Sequence, residues 1–364
     1  MNQYIVSAQI LNRVVIHMAV KRNLNVISCF FCVLMWSCQN MNDERPDMII
    51  NVNEYQYQSF DWVSLFGKDL HYVTLDTDSS NYNISYIDKI VIRNDKFYIN
   101  DWKTRRLLIF DIQGHPLGVI NRRGRGPEEY LQITDFDVDD NGSLWLLDGQ
   151  RDIVSHYSED GGFLSSRGTG GYQYSHIAFR RDSLFLGLAN WDEDNSKVFV
   201  ADTNLNINLR YYVRPVSDPD FGFSGVGFTD VRGKMFYNQP IDDDVVEFGD
   251  AEHRHLYHFD FGSRRVPDEV RKSIEPNFKD IHNYSFLMNV VGVFDNVIVG
   301  SMCENTDIDF LMDMDSKIMY KQNRNVEGLV LKGISDNKVL FLCKSEDCDK
   351  DVIAYISLDK LKTI

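Results

Sequence analysis

Proline and flexible linkers are scarce in this 364-residue chain. Only 8 prolines occur, and no glycine- or serine-rich tract divides the sequence, so one large domain is favoured over two domains joined by a tether. Basic residues are also few, because 54 acidic against 38 basic side chains give a formal net charge of -16. Such a chain repels a polyphosphate backbone, and we therefore expect no nucleic-acid partner.

The sequence also lacks the short motifs of two enzyme classes. No G-x-S-x-G, H-E-x-x-H or Walker loop is present, which removes support for a nucleophilic hydrolase or an NTPase. We expect no cofactor. With 43% hydrophobic residues, the chain can bury a large core and is not globally disordered.

Long apolar runs are missing except near the N-terminus. Two basic residues precede the apolar stretch LNVISCFFCVLMWSC, residues 24–38, which is too short to span a bilayer and is typical of a secretory signal. Its end resembles a bacterial lipobox, so Cys38 is the expected lipidation site. A simple cleaved signal or a short membrane anchor is the alternative. Because residues 1–17 lack signal character, we expect translation to start at Met18.

Cysteine is limited to six residues. Two leave with the signal and one takes the lipid, so Cys303, Cys343 and Cys348 remain. Three thiols cannot all pair: Cys343 can bridge to Cys348 across a hairpin, or to Cys303 in the neighbouring repeat. No histidine or cysteine lies beside them at metal-binding spacing, and we interpret the three as structural.

What the chain does contain is a sixfold repeat, spaced about 40 to 60 residues apart. Each repeat has one strand rich in aromatic and branched residues, at 96–101, 143–148, 183–188, 234–239, 296–301 and 338–343. A further strand follows at 105–111, 152–158, 197–202, 254–260, 308–314 and 351–357. Asn, Asp and Gly occupy the predicted hairpin turns, where positive φ is needed. The sequence predicts an all-β, six-bladed β-propeller with four-stranded antiparallel blades.

The repeats also set the predicted domain boundaries. A signal peptide covers residues 1–38, a flexible tether 39–48 and the propeller 49–364. A strand at 70–77 precedes the first full repeat, and we expect it to complete the last blade and close the ring. Helix is expected in only two places, at 59–69 and 266–274.

One part of the chain resembles a known family. The segments LLIFDIQG, GRGPEEYLQITDFDVDDNG and LWLLD, behind the signal and a VTLDT strand, resemble the six-bladed β-propeller lipoproteins of Bacteroidetes, which are related in shape to NHL-repeat propellers. The resemblance covers residues 49–364 and is most specific over 87–150. It implies a lipid-anchored outer membrane protein, periplasmic or exposed on the cell surface, whose first partner is the membrane. It supplies no catalytic residues.

The stretch RRGRGPEEY, residues 122–130, has the outline of a phosphate-binding loop. It lacks the Lys-Ser/Thr pair of such loops, and two glutamates already place negative charge at the start of the expected helical turn. A structural turn, with the arginines paired to those glutamates, is therefore favoured over anion binding. The connection still leads to the channel mouth, and Arg123, Arg125 and Tyr130 are candidate ligand-binding residues there.

Loops between the second and third strands of each blade should share that face. They contain the remaining candidates for ligand binding, which are Trp102, Arg105, Arg151, Trp191 and Asp192. Exposed tryptophan with nearby carboxylates suits the stacking and hydrogen bonding of sugars, whereas the alternative is solubilising loops with the tryptophan packed between blades. The blade-four loop, 239–254, can cover the channel. We expect a binding module for a glycan, a peptide or an envelope protein; the alternative is a glycan lyase or hydrolase with its site at the channel mouth.

Two further patterns suggest metal sites without requiring them. A D-x-D-x-N-G pattern fits a calcium loop, but an Asn-Gly hairpin turn explains the same letters and is favoured. Its candidate ligands are Asp137, Asp139, Asn141 and Asp148. The stretch HRHLYH, residues 253–258, offers two histidines on one side of a strand, which is too few for a catalytic zinc. No metal is therefore expected.

Overall fold

Short strands with alternating apolar residues form six antiparallel sheets, arranged as blades in a ring. The computed structural model describes residues 45–188, 196–212, 227–248, 254–344 and 351–363. In this part of the chain the predicted all-β six-bladed propeller is confirmed. The predicted signal peptide, with Met18 and Cys38, and most of the predicted tether lie outside the described residues.

The first strands of the chain precede three regular blades. The N-terminal elements are β1 (Met48–Asn51), β2 (Gln56–Ser59), helix α1 (Trp62–Phe66) and β3 (His71–Thr74). Blade 1 consists of β4 (Ile87–Arg93), β5 (Lys96–Asp101), β6 (Arg106–Asp111) and β7 (Pro116–Ile120). Blade 2 consists of β8 (Asp135–Val138), β9 (Leu144–Asp148), β10 (Ile153–Tyr157) and β11 (Phe163–Gly168). Blade 3 consists of β12 (Tyr174–Arg180), β13 (Ser183–Leu188), β14 (Ser196–Ala201) and β15 (Ile207–Tyr212).

Three more blades complete the ring. Blade 4 consists of β16 (Phe228–Val231), β17 (Lys234–Asn238), β18 (Asp244–Phe248) and β19 (Arg254–Asp260). Blade 5 consists of β20 (Ser285–Phe294), β21 (Val297–Glu304), β22 (Asp307–Asp313) and β23 (Ile318–Asn323). Blade 6 has β24 (Gly328–Ser335), β25 (Lys338–Lys344) and β26 (Val352–Ser357), followed by β3. The first strand of each blade is the inner one, and neighbouring inner strands pack together around the axis.

The three N-terminal strands follow the outer edges of three successive blades, and we call residues 48–74 the N-terminal strap. β1 pairs in parallel with β19, β2 pairs in parallel with β23, and β3 pairs antiparallel with β26. The strap therefore supplies a fifth strand to blades 4 and 5 and the fourth strand of blade 6. The two parallel additions were not predicted from the sequence.

Tight turns join the first and second strands of each blade. Asn94 and Asp95 have φ of 51° and 56°, and Asp336 and Asn337 have 48° and 54°. At least one residue with positive φ occurs in each of the six turns predicted from the sequence, and Asn, Asp and Gly adopt this conformation at low cost. These turns are at 94–96, 139–142, 180–183, 231–234, 294–296 and 335–338. The predicted turn positions are confirmed, so these six hairpins lie together at one end of the ring.

A helical insertion, residues 261–284, connects β19 to β20. It contains α2 (Asp268–Arg271), α3 (Ile274–Asn277) and the 3₁₀ helices Gly262–Arg264 and Phe278–Asn283. Other 3₁₀ helices are Val52–Glu54, Gly67–Asp69 and Leu358–Thr363. Both predicted helical regions are confirmed. Over the described ranges, no helix is long and apolar enough to cross a membrane.

Two expectations are wrong. The sequence places the third strand of blade 4 at 254–260, but that segment is the fourth strand, and the third is β18. β18 is buried on both faces, so it lacks the alternation that marks a half-buried strand. Residues 239–254 are therefore not one long loop over the channel.

The cysteines give the second correction. Cys303 is a free thiol, so the bridge to Cys343 is absent. Cys348 lies outside the described residues.

Candidate functional site

Charged side chains from neighbouring blades fill the axis of the ring. Lys89 Nζ of β4 lies 2.8 Å from Asp135 Oδ1 of β8 and donates to the carbonyl of Phe136 at 2.7 Å. The second carboxylate oxygen of Asp135 accepts a hydrogen bond from the N–H of Ile177 in β12 at 2.8 Å. One ion pair thus links three consecutive inner strands and leaves Asp135 with no free oxygen.

Burial governs the acidity of these axial groups. Desolvation raises the pKa of Asp135 above the usual range of a carboxyl group, and the neighbouring Lys89 opposes that rise. The same cause raises the pKa of Asp137, whose Oδ2 accepts a hydrogen bond from the N–H of Phe179 at 2.7 Å. These aspartates therefore act as fixed acceptors for the main chain of the next blade.

A small cavity remains beside them on the axis. Its volume is about 40 Å³, whereas pockets that hold drug-sized ligands measure about 300 to 1,000 Å³. Charged side chains contribute to its lining, namely Lys89, Arg93, Asp137, Asp230, Lys332 and Asp336. The cavity has room for a few waters and not for a sugar or a peptide.

Two of the loops nominated from the sequence meet at one end of the ring, which we call the upper face. Arg105, between β5 and β6, donates to the carbonyl of Leu131 at 3.2 Å. Gln132 donates to the carbonyl of Trp102 at 3.4 Å. Because residues 121–134 connect blade 1 to blade 2, these bonds place both kinds of loop side by side. Trp102 is 52% exposed there.

The loop of residues 122–130 is closed by its own side chains. Glu129 Oε2 accepts a hydrogen bond from the N–H of Gly126 at 2.6 Å, and Arg122 pairs with Glu128 at 2.6 Å. Arg151 of blade 2 donates to the carbonyls of Gly126 and Glu129. The Glu129 carboxylate therefore occupies the place that an anion would take, as expected for a structural turn.

Of the residues nominated in that loop, Tyr130 lies below the surface and the two arginines lie on it. Tyr130 is 1% exposed, and its hydroxyl bonds to the carbonyls of Arg105 at 2.9 Å and Ile120 at 3.0 Å. It is not presented to a ligand, contrary to the position expected from the sequence. Arg123 and Arg125 are exposed on the upper face. Trp191 and Asp192 lie outside the described residues.

The structure separates Asp148 from the other candidate ligands of the calcium alternative. Asp139 Oδ1 accepts hydrogen bonds from the N–H groups of Asn141 and Ser143 in the turn between β8 and β9, both at 2.9 Å. Asp148 Oδ2 accepts the N–H of Leu131 at the opposite end of the blade, at 2.7 Å. The β8–β9 register puts Asp139 and Asp148 five residues, or roughly 16 Å, apart along the strand direction. The calcium alternative is therefore wrong, and the hairpin turn accounts for the pattern.

The histidines of β19 have ordinary partners. His258 Nδ1 lies 2.8 Å from Asp244 Oδ1, and that hydrogen bond raises the pKa of His258. His255 is exposed, with its ring 3.9 Å from Asp47. His253 lies outside the described residues. Nothing in these contacts gathers the three imidazoles into a zinc site.

A comparison with protein families now identifies the chain. Residues 48–364 match DUF4934, a domain of unknown function. The chain belongs to the DUF4934 family. For this DUF4934 propeller, a comparison with curated proteins finds no match.

Several solved structures are similar to the DUF4934 propeller. A protein of Bacteroides fragilis NCTC 9343, described as exported, is 15% identical with a TM-score of 0.68, and the alignment covers 85% of this chain and 98% of that one. A member of the duf4221 family from Bacteroides vulgatus is 12% identical with a TM-score of 0.52, and the alignment covers 79% of this chain and 98% of that one. A streptogramin B lyase is 11% identical with a TM-score of 0.44, and the alignment covers 79% of this chain and 97% of that one. At these identities the similarity of the two Bacteroides structures, whose TM-scores exceed 0.5, establishes the fold alone.

Sequence reasoning missed two features of the DUF4934 propeller. Tyr86, 55% exposed, lies next to Trp102, whose N–H donates to the Tyr86 carbonyl at 3.2 Å. His282 lies 3.3 Å from the sulfur of Cys303, although 21 residues separate them in the sequence. Burial raises the pKa of Cys303 to about 12. The exposed aromatic before β4 was visible as YID in the sequence, but no local spacing marked the histidine and the cysteine.

Proposed function

We propose that this protein is an exported, lipid-anchored β-propeller that binds a glycan on its upper face, around Trp102 and Tyr86. The observation that carries the proposal is that two exposed aromatic residues lie on adjacent segments of blade 1, whose main chains are joined by a hydrogen bond. Each of the two residues has about half of its surface exposed. Flat aromatic faces stack on the apolar face of a sugar ring, which ordinary solubilising loops do not require.

One cation lies near Tyr86, and further cations are exposed on the upper face. Lys332 Nζ lies 5.7 Å from the centre of the Tyr86 ring, and Lys103 next to Trp102 is exposed. Arg123 and Arg125 add two more exposed guanidinium groups to the same face. Although the whole chain is acidic, these exposed cations favour a glycan that carries carboxylate or sulfate groups.

The filled axis favours binding over catalysis. A glycan lyase or hydrolase needs carboxylates or histidines that converge on the substrate. In the described residues the axial acids Asp135 and Asp137 instead accept hydrogen bonds from the main chain of blade 3. The cavity beside them is too small for a sugar ring.

The proposed location follows from the N-terminus and is supported by a neighbour. The apolar stretch that ends at Cys38 has the order of a lipoprotein signal. The similar protein from Bacteroides fragilis is described as exported. An outer membrane site, periplasmic or on the cell surface, would place the upper face where envelope or environmental polysaccharides are present.

A binding screen with matched variants tests this proposal. The full chain is screened against neutral glycans, acidic glycans and peptides, and each hit is followed for turnover. We expect an acidic glycan to bind and Trp102→Ala to weaken that binding at least about tenfold, as for a central aromatic contact. Tyr72→Ala removes an equally exposed ring from the outer strand β3 and should leave binding unchanged. Equal affinity in the Trp102 variant, binding of peptides alone, or cleavage of the bound glycan would each contradict the proposal.

A further inference from the structure

Three potential metal ligands meet where the helical insertion packs on blade 5. His282 Nδ1 lies 3.3 Å from Cys303 Sγ. Asp307 completes the set, and the three ligand atoms all lie within 4.8 Å of one another. Among the described residues, no other group of three or more His, Cys, Asp and Glu side chains is brought together in this way. We call these three residues the insertion cluster.

The β21–β22 hairpin fixes two members of the cluster. Cys303 and Asp307 are direct partners in the antiparallel register, so their side chains project from the same face of the sheet. Asn305 between them adopts a φ of 61°, which lets the chain reverse in a short loop. The spacing of the two side chains is therefore set by the backbone and not by a flexible loop.

The helical insertion fixes the third member. His282 belongs to the 3₁₀ helix Phe278–Asn283. The preceding residue, Ile281, is 2% exposed and packs in a buried cluster with Cys303 and Phe286. The N–H of Tyr284 closes the turn onto the carbonyl of Ile281 at 3.1 Å. Apolar packing thus holds the imidazole beside the thiol.

The geometry and the donor types suit a zinc-like ion. Zn–S and Zn–N bonds of about 2.3 and 2.0 Å at a tetrahedral angle separate the two ligand atoms by about 3.5 Å, close to the 3.3 Å observed. Asp307 Oδ1 is buried without a hydrogen-bond partner. A buried acceptor of this kind is destabilising unless a donor or a cation satisfies it. A thiolate, an imidazole and a carboxylate are all ligands that zinc accepts.

A cysteine nucleophile activated by histidine is the rival explanation of the same contact. Such a nucleophile must reach its substrate. The Cys303 residue is 0% exposed, and it lies beneath the insertion among apolar side chains. The contact therefore favours a ligand set over a catalytic pair.

We propose that His282, Cys303 and Asp307 bind one Zn²⁺ ion, with water at the fourth position, and that the ion fastens the helical insertion to the β21–β22 hairpin. The site lies on blade 5 and the insertion, whereas the proposed glycan surface involves blades 1 and 2. The proposal is independent of glycan binding, and failure of either leaves the other standing.

Cobalt substitution tests the site directly. The full chain is titrated with Co²⁺, and the spectrum of Cys303→Ser is subtracted from that of the wild type, which removes any signal from the other thiols. We expect one equivalent of Co²⁺ to produce a thiolate-to-cobalt absorption band in this difference spectrum, and Zn²⁺ to displace it. Cys343→Ser is the matched control and should retain the band.

Two milder variants protect the test against a folding defect in Cys303→Ser. Asp307→Asn preserves the size of the side chain, and His282→Gln alters an exposed position. Each should weaken Co²⁺ binding by about tenfold or more, since loss of even an outer-shell partner costs that much. Thermal unfolding of the wild type should shift upwards with Zn²⁺, and this shift should shrink in both variants. A flat difference spectrum at saturating Co²⁺, or unchanged affinity in both milder variants, would overturn the proposal.

Discussion

At the scale of single residues, aspartates in this chain connect segments of main chain. Asp101, at the end of β5, is fully buried and accepts the N–H groups of Ser85 at 2.9 Å and Tyr86 at 3.1 Å. Asp148, at the end of β9, does the same for Leu131 at 2.7 Å. Carboxylates satisfy main-chain donors that would otherwise be buried unpaired. These acids therefore tie the incoming connections of blades 1 and 2 to those blades, and Asp101 positions Tyr86 for the proposed glycan surface.

The buried hydroxyl of Tyr130 gives a prediction at this scale. Tyr130→Phe removes the donor that serves two carbonyls, and we expect the free energy of unfolding to fall by about 1 to 3 kcal/mol, the cost of leaving a buried polar group unsatisfied. Urea denaturation measures the change. Tyr86→Phe, whose parent side chain is exposed, should stay within about 0.5 kcal/mol of the wild type. If Tyr130→Phe is equally stable, the hydroxyl bonds are not made in solution.

At the scale of elements, the N-terminal strap is the main departure from a simple repeat. Asp61 caps α1 by accepting the N–H of Ser64 at 2.8 Å, which starts a helix of only five residues. The main-chain N–H of Trp62, the next residue, donates a hydrogen bond to the side-chain oxygen of Gln322 in blade 5 at 2.9 Å. Its ring lies 4.7 Å from that of Phe341 in blade 6. One tryptophan thus joins the strap to two blades.

Trp62→Ala tests how much the strap contributes to stability. The ring is fully buried, and its removal should lower the free energy of unfolding by about 3 to 5 kcal/mol, the range for deleting a large core aromatic. Val63→Ala changes the next residue of the same helix, which is 45% exposed, and should cost less than about 1 kcal/mol. Chemical denaturation of the two variants compares them. Similar losses in both would mean that the cost comes from the helix and not from the buried ring.

Blade positions could be predicted from the sequence because each hairpin is a local pattern. In blades 1 to 3 the second and third strands begin and end within one residue of the predicted positions, since alternation and an Asx or Gly turn suffice to define them. β18 was missed because a fully buried strand has no alternation. The two proposed sites were harder to predict. Tyr86 and Trp102 become neighbours only when their strands pair, and His282 lies beside Cys303 only because the helical insertion packs on blade 5. Such contacts depend on tertiary structure, which spacing does not encode.

At the scale of the whole molecule, hydrogen bonds cross from blade to blade. Asp135 of blade 2 binds the main chain of blade 3 at Ile177. Asp309 of blade 5 is fully buried and accepts the N–H of Leu331 in blade 6 at 2.7 Å. In an open array of repeats, each unit contacts only its neighbours and can unfold from an end. In a ring every blade has two neighbours, so no blade is a free end from which unfolding can begin.

This arrangement predicts that distant blades unfold together. Two variants would each keep one tryptophan, Trp145 in blade 2 or Trp62 at the contact between the strap and blade 6, with the remaining tryptophans changed to phenylalanine. Within each variant, the urea midpoint from tryptophan fluorescence should coincide with the midpoint from far-UV circular dichroism, which is the test of a single cooperative transition. Comparing the two probes inside one protein removes the effect of the substitutions on stability. If fluorescence of the Trp62 variant changes before the dichroism while that of the Trp145 variant does not, the contact between the strap and blade 6 opens first. The molecule then does not unfold as one unit.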